Sequence, residues 1–394
     1  VADLLPVAEA QARLLALAPA VAVETVPLAQ AVGRWTAAPV IAARDQPFAD
    51  LSAMDGYALR FADLGQPLKV VGESAAGKGF LGSVAAGEAV RIFTGAPVPD
   101  GADTILVQEE AARDGDGLAL SGKGPLRIGA HIRPRAQDFA AGAEIISGGA
   151  HLTPAMIGLA AAAGYGALPV RRAVRVAILS TGDELVPAGA PASGAQLPSS
   201  NAPMLAALLA DLPVTVLDGG IVRDDLAAMT AAFTALDADV IVTTGGASVG
   251  DHDLVRPALL AAGGSLDFWK IAMRPGKPLL AGRLGGAVVL GLPGNPVSAF
   301  VTATLFLRPL IAHLSGAADP FPRRLSAPLA HPLPANGPRE DYMRARLTSA
   351  GLDAWPVQDS GMLAALAGSD ALIVRPVHAP PVAAGDLAEY LPIA

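Results

Sequence analysis

Three loops in this 394-residue chain join glycine to hydroxyl, carboxylate or amide side chains directly after apolar runs. Ser180-Thr181-Gly182-Asp183-Glu184 follows the run 174–179. Thr244-Gly245-Gly246-Ala247-Ser248-Val249-Gly250-Asp251-His252-Asp253 follows 239–244, and Gly291-Leu292-Pro293-Gly294-Asn295-Pro296 follows 287–290. Glycine lets backbone N–H groups come close to a ligand, so Thr244-Gly-Gly and Ser248 can cradle phosphate oxygens. The Asn295-Pro296 helix start adds a positive dipole end. Asp183, Glu184, Asp224, Asp251 and Asp253 supply oxygens of the kind Mg²⁺ takes while sharing phosphates with a substrate. Lys270, Arg274 and Lys277 stand on Lys270-Ile-Ala-Met-Arg274-Pro-Gly-Lys277-Pro, where the prolines and Gly276 stiffen the chain. Cations held beside carboxylates suit a polyanion bridged to a divalent metal. Taken singly, each loop also fits a plain turn, and the cations also fit a solvated loop whose ion pairs contribute about 0–1 kcal/mol.

The elements that must position these loops alternate as strand, loop and helix from 171 to 316. Strand runs at 174–179, 214–217, 239–244 and 287–290 are separated by helical stretches at 201–212 and 225–236, and a further helix starts at Pro296. That rhythm predicts a doubly wound parallel sheet, whose ligands bind outside the carboxyl ends of the strands. All three loops lie at such ends.

Upstream, a helix over 7–18 and an extended segment fill 1–42. Short apolar runs such as 68–71 and 104–107 alternate with glycine turns over 43–138, which predicts a small β-rich domain. Thr153-Pro154 reads as an N-cap with a first-turn proline, opening a helix that ends near Gly164. The expected organisation is a multidomain α/β fold. A discontinuous linker domain (1–42 and 139–170) carries an inserted β-rich domain (43–138), followed by the α/β domain (171–316) and a C-terminal β domain (317–394).

Composition removes several function classes. Basic residues number 28 and acidic residues 36, giving a net charge of −8 that suits no general nucleic-acid binder. Hydrophobic residues make up 52%, enough for several cores and too many for a disordered chain. Cysteine is absent, so disulfides, thiolate nucleophiles and Cys-ligated zinc or iron–sulfur centres are excluded. The apolar run 296–307 meets Arg308-Pro309 short of the ~20 residues of a membrane span. The run 14–22 follows Asp3 and Glu9 rather than a basic start, so an amphipathic helix broken by Pro19 is expected there, not a leader. A cytoplasmic protein is expected.

Two glycine motifs carry nothing. Gly72-Glu-Ser-Ala-Ala-Gly77-Lys78-Gly79 has phosphate-loop spacing, but Gly79 replaces the metal-binding hydroxyl and no helix follows. Gly77-Lys-Gly79-Phe-Leu-Gly82 likewise lacks the helix a dinucleotide fingerprint needs. More informative are Ser52-Ala-Met54-Asp55-Gly56-Tyr57-Ala58, Phe93-Thr94-Gly95-Ala96-Pro97 and His131-Ile-Arg133-Pro-Arg135-Ala-Gln-Asp138. Each also fits a structural turn.

Ser52–Ala58, Arg91–Ala96, Ser180–Leu185, Gly245–Gly250, Pro275–Pro278 and Gly291–Ser298 occur together and in this order. The combination resembles the molybdopterin molybdenumtransferase family, bacterial relatives of the gephyrin E domain, over nearly the whole chain. The resemblance implies four domains, an elongated homodimer and a reaction. Adenylated molybdopterin and molybdate react with Mg²⁺ present, AMP is released, and molybdenum cofactor is formed. The substrate's own dithiolene supplies sulfur to molybdenum, so the missing cysteine is no obstacle.

Carried over residue by residue, pterin and nucleotide binding falls on Thr181, Gly182, Asp183, Glu184, Gly245, Gly246, Ser248 and Asp253, and on Pro293 and Pro296. Asp183, Glu184 and Asp253 are the expected metal or pyrophosphate ligands. Asp55, Thr94, Arg133 and Asp138 are expected to face the large domain of the other subunit, which makes the active site an interface site. Lys270, Arg274 and Lys277 are expected to bind molybdate or the terminal pterin phosphate. Arg344 and Ser360 match C-terminal binding positions, and Asp224 matches an acidic catalytic one. The resemblance further implies transient contact with a molybdopterin adenylyltransferase, and neither nucleic acid nor membrane as partner. Three rival readings are that preceding adenylyltransferase, which lacks the Met54-Asp-Gly motif and flanking domains, a non-catalytic scaffold of the gephyrin type, and a nucleotide-binding module without chemistry.

Overall fold

The structure is a computed structural model and describes residues 4–246 and 254–393. Its central sheet has six strands in the spatial order Val214–Val222, Val174–Thr181, Val240–Thr244, Ala287–Leu292, Leu280–Leu284 and Ser265–Trp269. The first four are parallel, as the strand–loop–helix rhythm predicts. The last two are antiparallel additions. Only Gly285 and Gly286 separate 280–284 from 287–292, far too little chain for a parallel crossover.

Alternation along each strand feeds two cores. Val174, Val176, Ile178, Val240, Val242, Val288 and Leu290 pack on one face with Leu205 and Val301. Leu179, Ile241 and Val289 pack on the other with Met229, Phe233, Val255 and Leu259. Successive residues of a strand point to opposite faces, so a near-continuous apolar run is what a sheet covered on both sides requires.

The helix at Pro296 runs past Arg308-Pro309 to Leu314. Its 19 residues are long and apolar enough to cross a membrane, but 83% of that window is buried inside the molecule. It includes a π-helical stretch, Ala303–Leu307. The α-helical partner of the Leu305 carbonyl would be the N–H that Pro309 lacks. Gln11 supplies the missing donor, its Nε2 reaching Leu305 O at 2.8 Å. Arg308 does not end the helix either, because both arms of its guanidinium engage Asp211.

Gln11 belongs to the first helix, Val7–Leu15, which buries Val7, Ala10 and Leu14 in the α/β core. The grouping of 1–42 into one linker domain is therefore corrected. The helix is amphipathic, and its apolar stripe is complementary to the helix at 308–314 rather than to the segment that follows it. The remainder of the linker is discontinuous: Val23–Pro27 pairs antiparallel with Ala167–Arg171, and Val40–Ile41 with Glu144–Ile146. Its helix Pro154–Ala162 is capped by Thr153, whose Oγ1 accepts the Met156 N–H at 3.3 Å.

Between these halves lies an inserted six-stranded sheet in the order Thr104–Val107, Gly56–Leu59, Glu88–Ile92, Leu68–Ser74, Gly117–Leu120 and Ala111–Asp114. The phosphate-loop look-alike is a turn here, closed by reciprocal hydrogen bonds between Ala75 and Lys78. The C-terminal sheet is built on Glu340–Thr348, Ala371–Arg375, Leu387–Pro392 and Leu325–Pro328. At its edge it takes in Met273–Arg274, from the stiff cationic segment of the α/β unit.

Candidate functional site

Beyond the carboxyl ends of the parallel strands lies a cleft of about 740 Å³. The three glycine loops meet there. Thr181, Gly182 and Glu184 come from the first, Thr244, Gly245 and Gly246 from the second, and Pro293 through Pro296 from the third; Asp224 faces the same space. The loops approach closely because of glycine. Gly245 has φ +93°, and a Cβ there would lie 2.6 Å from the Thr181 carbonyl oxygen. Gly182 has φ +147°, and the Glu184 carboxylate folds over the space its Cβ would fill, at 2.5 Å.

Below the cleft runs a short chain of hydroxyls. Ser199 Oγ and Ser180 Oγ are 3.1 Å apart, and Thr244 Oγ1 donates to Ser180 Oγ at 3.4 Å. Ser199 is held by backbone pairing, since Leu197 N donates to Glu184 O and Ser199 N to Val186 O, both at 2.8 Å. The segment 197–201 thus becomes a wall of the cleft, with Leu185 and Leu197 as apolar surface.

The sequence reading passed over Ser199, Ser200 and Asn201 as site residues, treating 201 only as a helix start. It treated Asn295 only as a cap. In the structure Asn295 makes no side-chain cap bond; its Nδ2 donates to Ser360 Oγ at 2.9 Å. Ser360 also uses its carbonyl to accept the Val297 N–H at 3.1 Å, and Gly361 beside it lines the cleft. The visible signal was a side-chain amide at the first turn of two helices that both begin at strand-end loops.

The expected cations are distributed differently from the sequence reading. Arg274 is engaged by Asp341 of the C-terminal sheet, with Nε 3.0 Å from Oδ2 and Nη2 bound to the same oxygen. The Asp341 hydrogen bond raises the Arg274 pKa above its ordinary value. Arg274 therefore acts as a clasp between domains and does not line the cleft where the substrate anion was expected. Arg344 is 1% exposed and donates to the carbonyls of Val357, Asp359 and Met362. Its expected contact with substrate is corrected: it holds the loop that presents Ser360 and Gly361. Lys270 has φ +77° and sets its ammonium over the Trp269 ring, 4.5 Å from the centroid. Lys277 is exposed and forms no ion pair among the described residues. Neither lysine lines the cleft, although Pro278 does.

Among the carboxylates, Glu184 and Asp224 line the cleft, while Asp183 turns aside and accepts the Asp224 N–H through Oδ1 at 3.2 Å. Ser248, Asp251 and Asp253 lie outside the described residues. No group of three or more metal-ligating side chains occurs among the described residues. Mg²⁺ needs fewer, since one or two carboxylates with substrate phosphates and water complete its shell, so Glu184 and Asp224 fit it.

A second cluster forms on the inserted domain. Asp55 Oδ1 accepts both the Thr94 N–H and the Thr94 hydroxyl, each at 2.7 Å. These two bonds, backbone first, hold the Asp55 pKa below the ordinary carboxylate range, and the charge of Arg91 adds to them. Arg91 stacks on Phe93 and Tyr57 at 4.7 and 5.2 Å and donates to Gln108, which fixes it behind the turn. Ile132–Arg133 pairs with Leu51–Ser52, and the Asp138 N–H donates to Gln46 O at 2.9 Å. Asp55, Thr94, Arg133 and Asp138 all lie outside the cleft lining of their own chain.

Comparison with known proteins covers every part of this architecture. A family model described as "MoeA N-terminal region (domain I and II)" matches residues 5–164, one described as "Probable molybdopterin binding domain" matches 177–313, and "MoeA C-terminal region (domain IV)" matches 326–393. A Haemophilus influenzae protein named molybdopterin molybdenumtransferase is 40% identical over 73% of this chain and 72% of its own length. One of the same name from a Nostoc species is 36% identical over 90% and 85%. A crystal structure of a molybdopterin biosynthesis MoeA protein from Pyrococcus horikoshii superposes with a TM-score of 0.84 at 26% identity, covering 99% of both chains.

Proposed function

The chain belongs to the molybdopterin molybdenumtransferase family, and we propose that its strand-end cleft binds adenylated molybdopterin with Mg²⁺ and releases AMP as molybdenum from molybdate enters the pterin dithiolene. The observation that carries this reading is the convergence of three glycine loops, two carboxylates and a helix start on one cleft at the switch region of a parallel sheet.

Each group has a task that its chemistry suits. The glycines at 182, 245 and 246 leave room for phosphate oxygens against the backbone, although the Gly182 and Gly245 N–H groups themselves donate to the carbonyls of Val222 and Leu292, and the Asn295–Pro296 helix start favours the same negative charge. Glu184 and Asp224 would hold Mg²⁺, which when bound offsets the charge of the pyrophosphate. Pro293 and Pro296 present rigid apolar faces to a flat ring. Lys270 and Lys277, on the segment that leads into Pro278, would draw in the molybdate oxyanion.

Asp55 and Thr94 are removed from the cleft of their own chain, and this supports a homodimer in which a second copy supplies them. The Thr94 bonds keep the Asp55 carboxylate ionised and oriented, ready to position the reacting end from across the interface. Cytoplasmic work beside a molybdopterin adenylyltransferase completes the reading.

Incubation with adenylated molybdopterin, Mg²⁺ and molybdate, scored by AMP release, tests it. Glu184→Ala and Asp55→Ala should each lose transition-state stabilisation of about 2.7–4 kcal/mol, the range for one committed electrostatic group. Near-wild-type turnover in both variants defeats the assignment.

A further inference from the structure

Asn201 opens the helix Asn201–Leu208 on the wall of the cleft and is 8% exposed. Its Nδ2 donates to the Gly294 carbonyl at 2.7 Å. This contact fixes the amide orientation, because the reverse orientation would set oxygen against oxygen. Oδ1 is therefore the remaining atom. It exposes less than 1 Å² of surface and has no hydrogen-bond partner among the described residues, so a donor from the cleft reaches it with a small shift of the 197–201 wall. Buried polar atoms are nearly always paired, so an orphan beside a ligand cleft calls for an absent donor.

The chemistry of that donor is constrained. An amide oxygen only accepts, so a phosphate or molybdate oxygen would be repelled by it. The neighbouring wall is uncharged and partly apolar, with Leu197 and Pro198 on one side and Pro293 on the other. A planar heterocycle fits between such surfaces and can bring an N–H edge to Oδ1.

We propose that Asn201 Oδ1 accepts a hydrogen bond from an exocyclic amino group of the substrate's ring system, so that the cleft discriminates amino rings from their oxo counterparts. The inference rests on the cleft being the site of an adenylated pterin. Two amino groups of that substrate share the required chemistry, the 6-amino group of adenine and the 2-amino group of the pterin.

Calorimetric titration of the full chain with two ligand pairs distinguishes them: AMP against IMP, and 6-hydroxymethylpterin against 6-hydroxymethyllumazine. In wild type the amino member of at least one pair should bind about 5- to 150-fold tighter, because its oxo counterpart leaves Oδ1 unpaired. Asn201→Leu should bring that ratio close to one, and Asn201→Ser should lower it. The ratio is the deciding quantity, since loss of the Gly294 contact alone would weaken both members of a pair equally. Collapse in the nucleotide pair assigns the adenine amino group, and collapse in the pterin pair assigns the pterin amino group. Wild-type ratios near one in both pairs overturn the proposal, as do ratios unchanged in both variants or no binding of either amino ligand at millimolar concentration. Failure of AMP release by wild type, with the ratio intact, would instead remove the transferase reading.

Discussion

Asn295 and Ser360 meet across the boundary between the α/β unit and the C-terminal sheet, Nδ2 donating to Oγ at 2.9 Å. Ser360 accepts the Val297 N–H as well, so the C-terminal domain satisfies part of the helix start that faces the cleft. Arg344, buried behind the loop, ties down the carbonyls on either side of Ser360. The C-terminal domain thus builds one wall of the site.

That contact should be energetically coupled to turnover. A double-mutant cycle of Asn295→Ala and Ser360→Ala, read in kcat/KM for molybdenum insertion, should give an interaction energy of about 0.5–1.5 kcal/mol, the net worth of one hydrogen bond. Full additivity would show that the loop sits there without helping the reaction.

The Arg274–Asp341 clasp predicts a loss of stability where the sequence alone suggested a loss of binding. Asp341 is 3% exposed, whereas Arg274 keeps 54% of its side chain in solvent, so the usual cost of stranding a buried charge is reduced here. Arg274→Ala should lower unfolding free energy by about 1–3 kcal/mol in chemical denaturation, and Arg274→Lys by less, because the lysine retains charge without the planar fork. An unchanged midpoint in Arg274→Ala together with a raised KM for molybdate would restore the anion-binding role.

Local pattern was the legible part of this molecule. The strands at 174 and 240 were visible as apolar runs, and their glycine loops were visible as ligand loops, because period and turn chemistry are written in neighbouring residues. The helix end at Leu314 was not legible, since Pro309 is tolerated only through Gln11, nearly three hundred positions away in the chain. For the same reason Arg274 read as an anion ligand, since its partner Asp341 is brought to it by domain packing; Arg344, matched to a binding position, instead finds Val357 and Asp359 within its own domain, on a loop whose turn back toward it no local period reveals. The orphaned oxygen of Asn201 exists only once Gly294 has taken its amide nitrogen.

The Asp55–Thr94 pair makes a prediction about pH. Asp55 is held below the ordinary carboxylate range by the Thr94 N–H first and its hydroxyl second. A depressed native pKa contributes stability that is present above the unfolded-state value and is lost as pH falls through the native one. Thr94→Val removes the hydroxyl and leaves the backbone donor. The Asp55 carboxyl, followed by NMR titration, should then titrate at higher pH than in wild type but still below the ordinary range. Identical titration in both proteins would show that the hydroxyl contact is absent in solution.

Glycine at 245 and glycine at 294 should respond to the same substitution to very different degrees. At Gly245 the backbone is left-handed and an added Cβ would stand 2.6 Å from the Thr181 carbonyl, so the second loop must move away from the first. At Gly294 the nearest heavy atom to an added Cβ is Gly245 Cα at 3.5 Å, an ordinary contact. Gly245→Ala should therefore lose about 1–3 kcal/mol of stability through backbone strain, and AMP binding should fall with the displaced loop. Gly294→Ala should fold with a melting temperature close to wild type. Its added methyl group lies on the cleft wall between two loops, so it should weaken AMP only by narrowing that wall. Thermal denaturation and calorimetry on the two variants decide the matter, and equal damage in both would mean that the loops do not approach each other as closely as the Thr181–Gly245 contact requires.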